Sequence, residues 1–242
     1  KTMKLSICTI TYNHEKFIAQ ALDSFLAQET DFEYEIVVSD DCSQDETPII
    51  LKRYKELYPE KIKLILHESN VGMIPNFVTT IKICRGQYIA LCEGDDYWTD
   101  NKKLQTQVTI LDNNPNFSIS FHKARIEFFN MKPFKFDDIN YSTKEISGFE
   151  DLVKGNFIHT PTCVFRNYLF DHYPEEFLNL KLGDWPLHLL NAQHGAIHFL
   201  NKEMAVYRIF PKGFWSVKKT IDKIEYTIFF LQKMKLHFGE KR

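Results

Sequence analysis

The chain has 242 residues, 44% of them hydrophobic, and a formal net charge of −2. That is enough for one sizeable core, or for a domain with a smaller lobe. The balanced charge argues against a general nucleic-acid-binding surface, and no apolar run approaches the roughly 18 residues of a membrane span. The five cysteines have no paired spacing, so we interpret them as reduced core residues of a cytosolic protein without a signal peptide.

The first half of the chain alternates between strand and helix patterns. Apolar residues at helical spacing follow the first strand pattern, with Asn13 as a candidate N-cap, and Pro48 suits the first turn of a second helix. The order of elements predicts an α/β fold with a doubly wound, mostly parallel central sheet. Apolar and β-branched runs place its strands at residues 5–11, 34–39, 62–66 and 88–92.

The second half of the chain has less regular patterns. A helix with Leu104, Val108 and Leu111 on one face is followed by a strand-like run and by a long surface loop, residues 129–146, which is a candidate lid. The Gly183-Asp184 pair opens a later helix. The remaining elements are a strand at 117–128, a short helix at 149–153, an extended run at 157–165, and short strands at 197–200 and 205–209.

Polar clusters stand where three of the predicted strands end. They are Thr11-Tyr12-Asn13, Asp40-Asp41, and Glu93-Gly94-Asp95-Asp96. The ligand crevice of an open α/β sheet lies at the carboxyl ends of its strands. Carboxylates crowded as in the third cluster repel one another, and their oxygen atoms are the ligands that Mg²⁺ or Mn²⁺ prefers. The third cluster therefore predicts a divalent cation, although a polar turn with a helix cap would give the same residues.

No glycine occurs in the first 71 residues. A dinucleotide fingerprint or a P-loop needs glycines just after the first strand, so both are excluded. If a nucleotide binds at these strand ends, a metal must neutralise its phosphates in place of a glycine-rich loop.

The three clusters, with Asn70-Val71-Gly72 and Arg85-Gly86-Gln87-Tyr88-Ile89, resemble the family 2 glycosyltransferases. These are inverting enzymes with the GT-A fold. The resemblance covers residues 4–112 strongly. It continues more weakly to Gly183-Asp184-Trp185 and to Tyr207-Arg208 with Gly213-Phe214-Trp215-Ser216.

The resemblance implies roles for residues on the donor side. Tyr12 would lie against the nucleobase, and Asp41, or else Asp40, would accept the imide N–H of the base. Asp95 would hold the metal that bridges the donor diphosphate, and Glu93 would reach the ribose or a metal-bound water. Arg208 would approach the diphosphate. Other residues expected near the nucleotide are Thr11, Asn13, Asn70 and Gly94, with Asp96, Lys212 and Trp185 as further candidates.

On the acceptor side, the resemblance implies that Asp184 is the catalytic base.

Several of these roles have an alternative in which the residue contacts no ligand. Tyr12 would then be a core aromatic residue, Asp40 and Asp41 would only cap a turn, and Asp184 would only be the N-cap of its helix.

The implied activity is transfer of a sugar from a nucleoside-diphosphate sugar, with UDP as the default, to a hydroxyl of a glycan, lipid-linked or protein acceptor, as in surface polysaccharide synthesis. One alternative is a sugar-phosphate nucleotidyltransferase, which usually carries a glycine-rich basic loop that this chain lacks. The other is a catalytically degenerate glycosyltransferase-like binding module. The donor sugar and the acceptor do not follow from the sequence.

We expect residues 1–112 to form the nucleotide-sugar-binding half and residues 113–216 the acceptor-side half of one catalytic domain. Residues 217–242 form a basic tail, with seven basic and three acidic residues and hence a net charge of +4. We expect this tail to dock on a partner or to place a cytoplasmic protein peripherally on the inner face of the membrane. Packing back on the domain is the alternative. Its apolar face consists of Ile221, Ile224, Ile228, Leu231 and Phe238.

One departure from the family pattern concerns the metal. Related transferases often have a histidine two residues after the Tyr-Arg pair, and that histidine can complete the metal shell. Here Phe210 stands at that position, and its side chain has no lone pair to offer. We therefore expect few protein ligands, chiefly Asp95, with Lys212 adding positive charge, and cooperative binding of ion and nucleotide.

Overall fold

The computed structural model describes residues 3–133, 144–170, 173–175, 178–211 and 220–239. The strands within these ranges are β1 (Leu5–Thr11), β2 (Tyr34–Asp40), β3 (Ile62–Leu66), β4 (Tyr88–Leu91), β5 (Tyr97–Trp98), β6 (Phe117–Phe128), β7 (Ile146–Ser147), β8 (Val164–Arg166) and β9 (Ala196–Ile209). The helices are α1 (Ile18–Leu26), α2 (Thr47–Leu57), α3 (Met73–Ile83), α4 (Lys103–Asn113), α5 (Phe149–Val153), α6 (Asp184–Ala192) and α7 (Thr220–Gly239).

All nine strands belong to one sheet, in the order β3-β2-β1-β4-β8-β6-β9-β5, with β7 paired to β9. The strands β3, β2, β1 and β4 run parallel to one another, so the doubly wound half is as the sequence predicts. Beyond β4 the pairing is mixed, because β8 is antiparallel to both β4 and β6, whereas β6 and β9 are parallel. The carboxyl ends of β1, β2 and β4 consequently meet at one edge.

The core lies on both faces of this sheet, because side chains alternate along each strand. In β1, Ile7 packs with α1, α2 and α4, whereas Cys8 packs with α3 and α6. All five cysteines are free, and only Cys42 is not buried. Helices on two faces of the parallel half of the sheet cover it from water, as its apolar strands require.

Hydrogen bonds and an ion pair around the buried carboxylate of Glu35 join β1, β2 and the start of β4. The Glu35 carboxylate on β2 accepts hydrogen bonds from Ser6 Oγ (2.7 Å), from the Arg85 backbone N–H (2.9 Å) and from Arg85 Nη2 (2.7 Å). Ser6 Oγ in turn accepts from the Gly86 N–H (2.8 Å). A Cβ on Gly86 would lie 2.3 Å from the Ser6 nitrogen, so only glycine fits there. The Arg85-Gly86 motif thus has a structural role.

Three expectations about local structure are wrong. Asn13 is not an N-cap, because α1 begins at Ile18 and Asn13 has a left-handed φ of 56°. The two short strands at 197–200 and 205–209 are one strand, β9, and the run 157–165 contains a 3₁₀ turn at Thr160–Thr162 before β8. Most of the expected loop 129–146, residues 134–143, lies outside the described residues.

The C-terminal helix α7 packs back on the domain. Phe230 and Met234 are buried in the core cluster, and the ring of Phe230 lies 4.5 Å from that of Trp185. The predicted apolar face is therefore only partly covered, and its exposed members form the α7 strip: Ile221, Ile224, Ile228 and Leu231. Among the described helices, none is long and apolar enough to cross a membrane.

Candidate active site

The loop after β1 is fixed against the loop after β2. The backbone N–H of Asn13 donates to Ser43 Oγ (2.8 Å), and the backbone N–H of His14 donates to Thr47 Oγ1 (2.9 Å). Asn13 Oδ1 accepts from the Gln44 N–H (2.8 Å). These bonds explain why Asn13 adopts its left-handed conformation instead of capping α1. Tyr12 is 45% exposed at this edge, which rules out the alternative of a core aromatic residue.

The two aspartates at the end of β2 have different surroundings. Asp40 is buried and holds the next turn, because its carboxylate accepts from the backbone N–H (2.9 Å) and the hydroxyl of Ser43. The Asp41 carboxylate accepts from the N–H groups of Val71 (2.7 Å) and Gly72 (3.0 Å). Asn70 Nδ2 donates to the Asp41 carbonyl (3.1 Å). Asp41 and Asn70 therefore join β2 to the start of α3, and their contact with a nucleobase stays a prediction.

The end of β4 lies close against β1. A Cβ on Gly94 would lie 2.7 Å from Thr11 Oγ1 and 3.0 Å from Ile18 Cδ1. Glycine at this position therefore lets the turn that carries Glu93 and Asp95 approach the strand end and the start of α1. The Gly94 N–H donates to the Ile10 carbonyl at 3.0 Å, which fixes the turn further.

Arg208 on β9 holds the turn that contains Asp95 and Asp96 by hydrogen bonds. Its backbone N–H donates to Asp96 Oδ1 at 2.7 Å, and its Nη1 donates to the Asp95 carbonyl. Nη2 donates to Gln20 Oε1 (2.8 Å), Nε donates to Glu127 Oε1 (3.1 Å), and the guanidinium lies over the Phe17 ring. Arg208 is buried in these contacts, so its approach to a diphosphate stays an expectation. No pattern in the sequence indicates this positioning role.

Burial and neighbouring negative charges raise the pKa of two carboxyl groups at the end of β4, Glu93 and Asp96. Removal from water, followed by the charges of Asp95 and Asp184, raises the pKa of Glu93 to about 8. Burial, followed by the charge of Asp95, raises the pKa of Asp96 well above its usual range. Asp95 Oδ1 is buried and has no hydrogen-bond partner among the described residues. A divalent cation bound here would relieve this repulsion and give that oxygen a partner, so these residues fit a metal.

Asp184 begins the helix α6. Gly183 takes the N-cap position and no side-chain cap bond forms, so Asp184 is not the N-cap. Its Oδ2 accepts from Asn156 Nδ2 (3.1 Å), and its Oδ1 accepts from the Trp185 N–H (2.8 Å). The effect of its charge on the pKa of Glu93 places it near the β4 carboxylates. Trp185 packs behind it, and its Nε1 donates to the Leu152 carbonyl (3.0 Å).

His14, which no motif in the sequence marks as a site residue, lies beside the metal candidate Asp95. Its Nε2 lies 3.9 Å from Asp95 Oδ2. Its position directly after Tyr12 and Asn13, at the end of a strand, is the feature of the sequence that could have indicated a place in the site. The described residues contain no group of three or more His, Cys, Asp and Glu side chains that could hold a metal, and Lys212 lies outside them.

Known proteins similar in sequence point to one family. A family model described as glycosyl transferase family 2 matches residues 6–174. An uncharacterised protein of Mycobacterium tuberculosis is 39% identical over 213 residues, which cover 87% of this chain and 60% of that protein. The poly(ribitol-phosphate) β-N-acetylglucosaminyltransferase TarS of Staphylococcus aureus is 29% identical over 184 residues, covering 72% of this chain and 30% of TarS. The chain thus spans 60% of the length of the first relative and 30% of the second.

Two solved structures share the fold. TarS residues 1–349 with UDP-GlcNAc matches with a TM-score of 0.68 and 22% identity, covering 96% of this chain and 67% of that chain. The mannosyltransferase PcManGT of Pyrobaculum calidifontis, in complex with GDP-Man and Mn²⁺, matches with a TM-score of 0.65 and 18% identity. That match covers 100% of this chain and 64% of that chain. The predicted GT-A-like fold is confirmed.

Proposed function

The chain belongs to glycosyl transferase family 2, and on that premise we propose that it is an inverting, metal-assisted transferase using a nucleoside-diphosphate sugar, with UDP as the favoured nucleotide. The acceptor is a hydroxyl of a glycan, a lipid-linked glycan or a protein. TarS, a relative whose structure contains UDP-GlcNAc, supports the choice of UDP. We also propose a cytoplasmic site of action and a role in surface polysaccharide synthesis.

One observation carries the proposal: the negative charge of Asp184 contributes to the raised pKa of Glu93, so Asp184 lies close enough to the β4 carboxylates to interact with them. In this reading the acceptor hydroxyl gives its proton to Asp184, whose carboxylate is oriented by Asn156 and by the Trp185 N–H. The acceptor oxygen then forms a bond to the anomeric carbon. The bond from that carbon to the diphosphate breaks, its electron pair leaves with the diphosphate, and one displacement inverts the anomeric centre.

Asp95 is the residue that would hold the cation, whether Mg²⁺ or Mn²⁺. When bound, the ion acts as a Lewis acid for the charge that builds on the leaving diphosphate. Arg208 keeps the Asp95-Asp96 turn in position from below, and Gly94 lets the turn approach β1. The Mn²⁺ in the mannosyltransferase structure supports a divalent ion in this fold.

The test is a panel of nucleotide sugars with Mn²⁺, read as release of free nucleoside diphosphate. Asp184→Asn should lower turnover roughly 10²–10⁴-fold with little change in donor affinity, because only proton transfer is removed. Asp95→Asn should instead abolish the effect of metal on UDP affinity. Exchange that depends on pyrophosphate would indicate a nucleotidyltransferase, silence with every donor would indicate a binding module, and near-normal turnover of Asp184→Asn would remove its role as base.

A further inference from the structure

The ring of His14 lies beside Asp95, and its backbone is fixed by hydrogen bonds. Its N–H donates to Thr47 Oγ1, and its carbonyl accepts from the N–H groups of Phe17 and Ile18 (both 2.9 Å). The ring makes edge contacts with the rings of Phe17 and Phe210, whose centroids lie 6.4 Å and 6.1 Å away. These contacts hold the imidazole in one orientation before any ligand arrives, which is the arrangement that a binding site needs.

The spacing between His14 and Asp95 suits a shared ion. At 3.9 Å, the Nε2 to Oδ2 distance is too long for a hydrogen bond. Two ligand atoms that each lie roughly 2.1 Å from one ion are at most about 4.2 Å apart. Both side chains are largely shielded from water, with exposures of 14% and 15%. Nε2 and Oδ2 are thus the candidate ligand atoms, and the other polar atom of each side chain, His14 Nδ1 and Asp95 Oδ1, is buried without a hydrogen-bond partner in the described ranges.

We propose that His14 is a protein ligand of the divalent cation and shares the ion with Asp95. This inference rests on the proposed function for the presence of the ion and the nucleotide, and it adds a nitrogen ligand from the loop after β1. Two protein ligands leave most of the shell to diphosphate oxygens and water. A nitrogen ligand also favours Mn²⁺ over Mg²⁺, because imidazole is a softer donor than a carboxylate.

The loop that carries His14 also carries Tyr12, the residue expected to lie against the nucleobase. Because the ion would be bound by this loop and by the turn after β4, it would join the two loops on the donor side. A bound diphosphate would supply further oxygen ligands to the ion held by these two loops, which gives cooperative binding of ion and nucleotide a structural basis.

Pulsed electron paramagnetic resonance of Mn²⁺ tests the proposal without any turnover. The full chain is loaded with Mn²⁺ and UDP in a nitrogen-free buffer, and the echo is examined for ¹⁴N modulation from a coordinated imidazole. We expect modulation in the wild type and in the control His194→Ala, which changes an exposed histidine outside the candidate site. We expect none in His14→Ala or in His14→Gln, which keeps most of the side-chain volume.

The affinity for Mn²⁺ in the presence of UDP should fall roughly 10–100-fold in both His14 variants, the range found when groups that support a metal site are removed. Affinity for Mg²⁺ should fall less. Thermal unfolding of each variant checks that the fold is kept. Mn²⁺ uptake without ¹⁴N modulation in the wild type, or with unchanged modulation in His14→Ala, would overturn this inference alone. If Mn²⁺ does not bind with or without UDP, the metal-assisted function fails and this inference fails with it.

Discussion

The contact between α7 and the helix that carries Asp184 leads to a prediction about stability. Phe230 is 1% exposed and its ring packs on Trp185, whereas Ile228 on the same helix is 51% exposed. We expect Phe230→Ala to destabilise the protein strongly and Ile228→Ala to have little effect. The two substitutions make a matched pair, because both place alanine in one helix and differ chiefly in the burial of the residue removed.

The magnitude follows from the buried surface. An aromatic side chain buries roughly 150–250 Å², which at about 25 cal/mol/Å² gives ~4–6 kcal/mol as an upper bound. Truncations of buried Phe cost about 3–5 kcal/mol, whereas exposed substitutions stay within about 0.5 kcal/mol. For a chain of this size, each kcal/mol lowers Tm by about 2–4 °C. Phe230→Ala should therefore lower Tm by roughly 6–20 °C.

Thermal unfolding followed by circular dichroism is the assay, with both variants measured beside the wild type. Turnover at a temperature where Phe230→Ala is folded gives a second measurement. Because Phe230 supports Trp185 next to Asp184, turnover should fall more than donor affinity does. If both variants melt at the wild-type temperature, α7 does not contribute to the core as described, and the reasoning from its burial is refuted.

Two further predictions concern the Glu35 network and the α7 strip. Burial alone would raise the pKa of Glu35, but hydrogen bonds from Arg85 and Ser6 outweigh it and lower the pKa below 4.5. The stability that this pairing adds is therefore complete above about pH 4.5 and is lost as the pH falls through the lowered folded pKa. The free energy of unfolding should depend less on pH in this acid range in Glu35→Gln, whereas the exposed control Glu56→Gln should match the wild type. We also expect the α7 strip to bind anionic vesicles. In a vesicle flotation assay the wild type should float with the vesicles, and the double variant Ile224→Ser/Ile228→Ser should not. Equal flotation of the wild type and the double variant would exclude a membrane contact through this strip.

Much of the sheet could be predicted from the sequence because its strands are local patterns. β1, β2, β3 and β4 are short runs rich in apolar and β-branched residues, and each lies within one residue of its predicted bounds. The sequence predicts two short strands in place of β9 because Asn201, Lys202 and Glu203, in its middle, are polar; in the structure they are exposed. Its pairing with β6, which shifts register at Lys123, keeps the strand continuous. That pairing depends on a distant segment, so no local pattern reveals it.

The candidate site shows the same division between local and distant causes. The carboxylates of β4 and Asp184 are recognisable as charged residues at element ends. The conformation of Asn13 depends on hydrogen bonds to Ser43 and Gln44 in the loop after β2. The local sequence, which predicts an N-cap at Asn13, does not reveal these contacts. The proximity of His14 to Asp95 likewise arises only when β1 and β4 are paired, since the two residues are remote in the chain.

The bond from Arg208 to Asp96 has a consequence for mutational tolerance. Its donor is the peptide N–H, which every residue except proline carries. Replacement of the Arg208 side chain would remove the contacts to Glu127, Gln20 and the Asp95 carbonyl. The backbone N–H of residue 208 could still donate its hydrogen bond to the Asp96 carboxylate. Substitutions at position 208 other than proline therefore keep the donor of this attachment, although they lose the side-chain contacts. Proline alone is chemically barred from providing it.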